Sequence, residues 1–101
     1  MKGERMIHRQ EGWLATYAGT ELLMMSVDKG RYIALTEVGA RIWELLEAPR
    51  SIEWLCAELC REFDVAPEVC RNEVETFCGT MAQHGAVWID PSDESGGTPA
   101  R

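Results

Sequence analysis

The sequence predicts an α+β fold, a three-stranded antiparallel β-meander followed by three helices in a winged-helix-like order. Three observations predict it. Short apolar runs separated by turn residues fill Gly12 to Leu35. The apolar period changes after Leu35 from two to about 3.6 residues. Residues that start or stop helices then recur at Thr36, Ser51, Pro67 and Gly85.

Taken in order, residues 1 to 10 are polar and nothing in them sets a structure, so a flexible N-terminus is expected before a domain spanning 11 to 90. The first strand is Trp13-Leu14-Ala15-Thr16-Tyr17, the second Glu21-Leu22-Leu23-Met24-Met25-Ser26-Val27, the third Arg31-Tyr32-Ile33-Ala34-Leu35. Ala18-Gly19-Thr20 and Asp28-Lys29-Gly30 separate them and read as hairpin turns. Gly30 supplies the positive φ that a three-residue hairpin loop needs.

Thr36 stands at the N-cap of the first helix, with Val38, Ile42, Leu45 and Leu46 as its apolar stripe and Trp43 on its flank. Ala48-Pro49 ends this stretch, because the residue before a proline avoids helical φ/ψ. Ser51 caps a second helix whose inner face is Ile52, Leu55, Cys56, Leu59 and Phe63, and Asp64-Val65-Ala66 makes a turn. Pro67 suits the first turn of the third helix, with Glu68 beside the positive end of its dipole. Val69, Cys70, Val74, Phe77 and Met81 form the stripe of that helix, and Gly85 sits where a left-handed cap belongs. Ala86-Val87-Trp88-Ile89-Asp90 reads as a last short strand lying on the sheet or behind it, and residues 91–101 as a disordered tail.

Composition bounds the function. At 101 residues the chain holds one domain, and with 46% hydrophobic residues and four Trp it folds rather than staying disordered. The formal charge of −7 disfavours nucleic acid, whose phosphates are held by Lys and Arg releasing counterions. A basic peptide, or one held through its backbone, suits this charge better. No apolar run is long enough to cross a bilayer and no signal-type stretch follows Met1, so no membrane contact and a cytoplasmic location are expected. Cys56, Cys60, Cys70 and Cys78 all fall in helical segments and complete no zinc pattern, which reads as reduced thiols packed as small apolar groups.

No catalytic, metal or cofactor site is expected. His8 and His84 have no partner at a useful spacing, no phosphate-binding or nucleophile motif is present, and Glu73 and Glu75 point in different directions on their helix. The binding argument comes instead from topology. A meander leaves two edges of unpaired backbone N–H and C=O groups. If Arg31, Tyr32, Ile33, Ala34 and Leu35 form the outer strand, a peptide can extend the sheet there, with the third helix as a wall. Arg71, Glu75 and Cys78 flank the Val74 and Met81 stripe and are the wall candidates. The alternative is an edge already covered by the Val87-Trp88-Ile89 strand or by the N-terminal tail.

The run Val27-Asp28-Lys29-Gly30-Arg31-Tyr32-Ile33-Ala34-Leu35-Thr36-Glu37-Val38-Gly39-Ala40-Arg41-Ile42-Trp43-Glu44-Leu45-Leu46 resembles the PqqD-like family, the peptide chaperones also called recognition elements of ribosomally made, modified peptides. The match has the form turn, Tyr, Leu-Asn/Thr, x-x-Gly-x-x-Ile-Trp, x-Leu-Leu, and its signals continue over roughly residues 12 to 90. The resemblance implies a non-catalytic chaperone that binds the leader segment of a precursor peptide by strand addition to the third strand, against the third helix. It implies a maturation enzyme as second partner, a radical SAM enzyme as in pyrroloquinoline quinone biosynthesis or a leader peptidase as in lasso peptide biosynthesis. On this sequence the implied strand is Arg31 to Leu35 and the implied helix positions are Arg71, Val74, Glu75, Cys78 and Met81. Two rivals stand beside it. A homodimeric scaffold would pair its own edge strands. A winged-helix DNA-binding module has the same architecture, but the third helix holds three Glu and one Arg where base readers carry Arg, Lys, Asn or Gln.

Overall fold

In the computed structural model, residues 5–91 are described. They form β1 (Met6–Arg9), β2 (Trp13–Ala18), β3 (Glu21–Ser26), β4 (Arg31–Thr36), α1 (Glu37–Leu45), β5 (Arg50–Ser51), α2 (Ile52–Glu62), α3 (Pro67–Gln83) and β6 (Val87–Ile89). The α+β class and the meander followed by three helices are as the sequence predicts. The sheet β2-β3-β4 is antiparallel, with Trp13 opposite Ser26 and Met24 opposite Ile33. Its first loop, Gly19-Thr20, has φ of +66° at Gly19 alone, the pattern of a two-residue hairpin loop with glycine first. The second loop is one residue longer than the sequence suggests. Val27 leaves the strand and is 74% exposed, Gly30 takes φ +64°, and the Gly30 N–H donates to the Ser26 carbonyl.

Two strands were not expected. Met6–Arg9 was read as part of a flexible start, yet β1 is the centre of a second antiparallel sheet ordered β5-β1-β6. Met6 pairs with Ser51, and Ile7 pairs with both Arg50 and Ile89. Ile7 is fully buried, which gives the segment its reason to order. The last strand therefore lies on β1 and not on the meander. Residues 1–4 and 92–101, where the rest of the flexible start and nearly all of the disordered tail were placed, lie outside the described residues.

The helices follow their caps. Ser51 accepts from the Trp54 backbone N–H at 3.0 Å, and its own burial makes that bond part of the core. Thr36 takes the extended N-cap conformation of α1 without a side-chain cap bond. Strand β4 runs straight into α1, and Glu37 absorbs the turn with φ +23°. Pro67 opens α3 at its first turn. At the other end the Gly85 N–H donates to Ala82 and the Ala86 N–H to Met81, the two bonds of a Schellman closure, with Gly85 at φ +79°.

The core joins both sheets to all three helices through Ile7, Met24, Ile42, Leu55, Leu59 and Val74, none more than 1% exposed. Trp43, expected on the flank of α1, is inside it. Its ring is 5% exposed, and the Arg9 guanidinium lies 4.3 Å from the ring centroid while also donating to the Trp43 carbonyl. Val69 departs in the opposite sense. It was placed in the α3 stripe and is 47% exposed, because it falls on the far side of the row Cys70, Val74, Cys78 and Met81 that carries the burial.

Candidate functional site

The site begins with the free edge of β4. The strand pairs only with β3, and β6, which was one candidate to cover it, pairs with β1 instead. Among the described residues the outer N–H and C=O groups of β4 thus have no strand partner. Leu35 is buried and Ile33 half-buried on the inner face, whereas Tyr32 at 80% exposure and Ala34 point outward.

Helix α3 and its C-cap approach this edge near both ends. At the start of β4, Arg31 Nη1 and His84 Nδ1 are 3.2 Å apart, and the Lys29 side chain lies over Gly85. Just past its end, the Phe77 ring approaches Gly39 of α1 so closely that a methyl there would sit 3.1 Å from it, with the Leu35 side chain beside the same glycine. Arg31 to Leu35 spans roughly 13 Å as a strand and Phe77 to His84 about 10 Å as a helix. Strand edge and helix therefore run antiparallel, and the length they share matches about four residues of an extended peptide. Glu73, Phe77, Thr80 and His84 lie at i, i+4, i+7 and i+11, so this is the row that α3 turns toward β4.

That row is not the one the sequence suggested. Val74, Cys78 and Met81 are each 1% exposed or less and pack in the core, so they offer no surface. Arg71 and Glu75 are exposed but lie on the opposite flank. Arg71 Nε is 2.9 Å from Glu75 and its Nη2 is 3.3 Å from Glu53 of α2, an arrangement that raises the Arg71 pKa. The strand residues Arg31 to Leu35 and these five helix residues are thus not brought together around one groove. A stripe of buried residues has two flanks, and only the placement of α2 decides which is free. The one sequence signal for the flank that faces β4 was Phe77, the large apolar side chain that α3 leaves half-buried.

The chemistry of the trough is that of a backbone template. Among the described residues no three His, Cys, Asp or Glu side chains are grouped to hold a metal ion. The thiols are free; Cys70 and Cys78 are buried, and burial pushes the pKa of each up to about 12, leaving them protonated and inert. Beyond the edge, the outer face of the meander is apolar and open, with Leu14 63% and Leu23 39% exposed beside Tyr32.

The profile of the family described as Coenzyme PQQ synthesis protein D (PqqD) matches residues 21–87. Two solved structures resemble the fold. One, "TbiB1 in Complex with the TbiA(beta) Leader Peptide", has TM-score 0.72 and 22% identity over 79% of this chain and 93% of that one. The other, "Lasso peptide synthetase B1 complexed with the leader peptide", has TM-score 0.71 and 14% identity over 81% of this chain and 96% of that one. At these identities the likeness is one of fold. No curated protein matches.

Proposed function

The chain belongs to the PqqD family, and on that premise we propose that it is a non-catalytic peptide chaperone. It takes the leader segment of a ribosomally made precursor as an added strand on β4, against α3, and presents it to a maturation enzyme, a radical SAM enzyme or a leader peptidase. The observation that carries this reading is the β4 edge, which no described strand covers, with the His84 cap of α3 at one end and Phe77 near the other. Backbone pairing supplies affinity there, and the row Glu73, Phe77, Thr80 and His84 supplies the selective wall. Two of the matched folds are complexes with leader peptides, which supports the same occupant. Of the helix residues suggested by sequence, Arg71 and Glu75 lie on the flank away from β4, and Val74, Cys78 and Met81 support the wall from behind. No helix of the described residues is long and apolar enough to cross a membrane, in keeping with a cytoplasmic partner of newly made peptides. The DNA-binding alternative fares worse, since the one Arg of α3 is held by two carboxylates.

The test is a titration of labelled leader peptides, encoded by small reading frames beside this gene, followed by anisotropy and by backbone amide shifts. Saturable binding with shifts on Arg31 to Leu35 and on Glu73 to His84 is the expected result. A peptide that binds without shifting the β4 amides rejects strand addition. The apolar outer face around Leu14, Leu23 and Tyr32 favours one second reading, a homodimeric or enzyme-docking scaffold. That reading gains if the free protein sediments as a dimer that leader peptide does not dissociate.

A further inference from the structure

We infer that the trough has a charged end which selects the leader's register, the cluster of Lys29, Arg31 and His84 receiving an acidic side chain of the bound peptide. This rests on the leader-binding reading above and names a chemical feature of its ligand. The chain is strongly acidic, and among the described residues its other cations are engaged, Arg5 with the Asp90 carbonyl. Arg41 pairs with Glu44 and Glu62, Arg61 with Glu58, and Arg71 with Glu53 and Glu75. Arg9 and Arg50 lie over the rings of Trp43 and Trp54. Arg31 instead meets the ring nitrogen of His84, and among the described residues neither it nor Lys29 has a carboxylate partner. The Lys29 stem lies over Gly85, within contact distance of where a side chain there would begin, which brings its amine to the same end of the trough.

The obvious structural role for such a cluster is to satisfy the carbonyls at the end of α3. Most of those carbonyls are already served. Thr80, Met81 and Ala82 accept from the backbone N–H groups of His84, Ala86 and Gly85, and Gly85 accepts from Trp13 Nε1 at 3.0 Å. The Arg31 fork spends one donor on His84 and retains the rest for a planar acceptor. The far end of the trough carries Glu37 and Glu73, both exposed, so its polarity is opposite and a peptide entering in reverse would meet like charge.

The experiment is a double-mutant cycle on the full chain. Leader peptides from the neighbouring reading frames are made with an acetylated N-terminus and an amidated C-terminus, so that only side chains bring carboxylates, and each Asp or Glu is changed in turn to its amide. Each is titrated into the wild type and into Arg31→Gln and Lys29→Gln. One acid-to-amide change weakens binding to the wild type about two- to fivefold, the range of an exposed ion pair, and has little further effect on Arg31→Gln. A free C-terminal acid that restores the loss identifies the terminal carboxylate, not a side chain, as what the cluster reads, and overturns the assignment. So does a leader that binds with β4 amide shifts but whose acid-to-amide variants all bind wild type and variants in parallel; the chaperone reading then survives. If no neighbouring peptide binds, both fall together. Unchanged melting temperatures of the two variants keep a loss of binding from being a loss of fold.

Discussion

Gly85 carries two constraints at one position. Its φ of +79° closes α3, and the Lys29 side chain occupies the space where a Cβ would go, 2.5 Å from Cε. A lysine stem is flexible and swings aside at small cost, whereas the backbone does not. Gly85→Ala is therefore expected to destabilise by about 1 to 2 kcal/mol, the cost of an L-residue held in the left-handed region, and Gly85→Asn by less. Urea unfolding of the three proteins checks the order. Because the displaced Lys29 belongs to the charged end of the trough, Gly85→Ala should also weaken leader binding more than an equally destabilising change elsewhere. Residue by residue, the sequence was most legible at such positions. Gly85, Ser51, Pro67 and Gly30 each have a backbone or capping requirement that few other residues meet, and each does what its chemistry demands.

The elements show where legibility stops. The meander and the three helices are local, built from hydrophobic periods and turns within a few residues of each other, and they could be read in place. Ser51 illustrates the energetic side. Its side chain satisfies the Trp54 N–H at the start of α2 while 2% exposed, so Ser51→Ala leaves a donor without its partner. A loss of about 1 kcal/mol is expected from thermal unfolding, with the leader affinity unchanged, since α2 lies on the side of α3 away from the trough. Strand β1 was not legible because its partners lie far along the chain, Ser51 on one side and Ile89 on the other. Four residues with a single fully buried member carry no periodicity of their own. The flank of α3 was illegible for a related reason, since the helical wheel is symmetric about its stripe until α2 is placed. The β1–β6 pair has a titrating lock. Asp90 accepts from the Met6 N–H at 3.1 Å and lies 2.9 Å from His8 Nε2, whose ring stacks on Trp88 at 3.9 Å. These bonds hold the Asp90 carboxyl below its ordinary value of 3.8. A depressed folded-state pKa contributes stability above the unfolded value and loses it as pH falls through the folded one. Moving from pH 6 to about pH 3 is thus expected to lower the urea midpoint of the wild type more than that of Asp90→Asn, the two curves converging in acid.

On the scale of the whole molecule the two sheets divide the work. The meander presents an edge that no other described strand covers; the β5-β1-β6 sheet joins the beginning of the described chain to its end and closes the core beneath α3. The trough depends on this closure, because the end of α3, with His84 at the mouth, is continuous with β6 through Gly85 and Ala86. The Gln10 N–H donating to the Ala86 carbonyl at 2.8 Å and the Trp13 bond to Gly85 tie that same corner to the N-terminal segment. A chain lacking residues 1–10 would keep every residue of the trough itself, and a flexible start would make the deletion harmless. In this fold it removes Ile7 from the core and the central strand from the second sheet. Substituting Ile7 by Ala alone should cost about 2 to 4 kcal/mol, and the ten-residue deletion more than that, enough to leave a domain of this size largely unfolded at 25 °C. The readout is hydrogen exchange of the α3 amides together with leader titration. Fast exchange and lost binding in the deletion, with intermediate exchange and retained binding in Ile7→Ala, are expected from a scaffold that holds α3 against β4. Equal protection in the deletion and the full chain would mean that the meander and helices hold the trough on their own, and that β1 is an accessory to the fold.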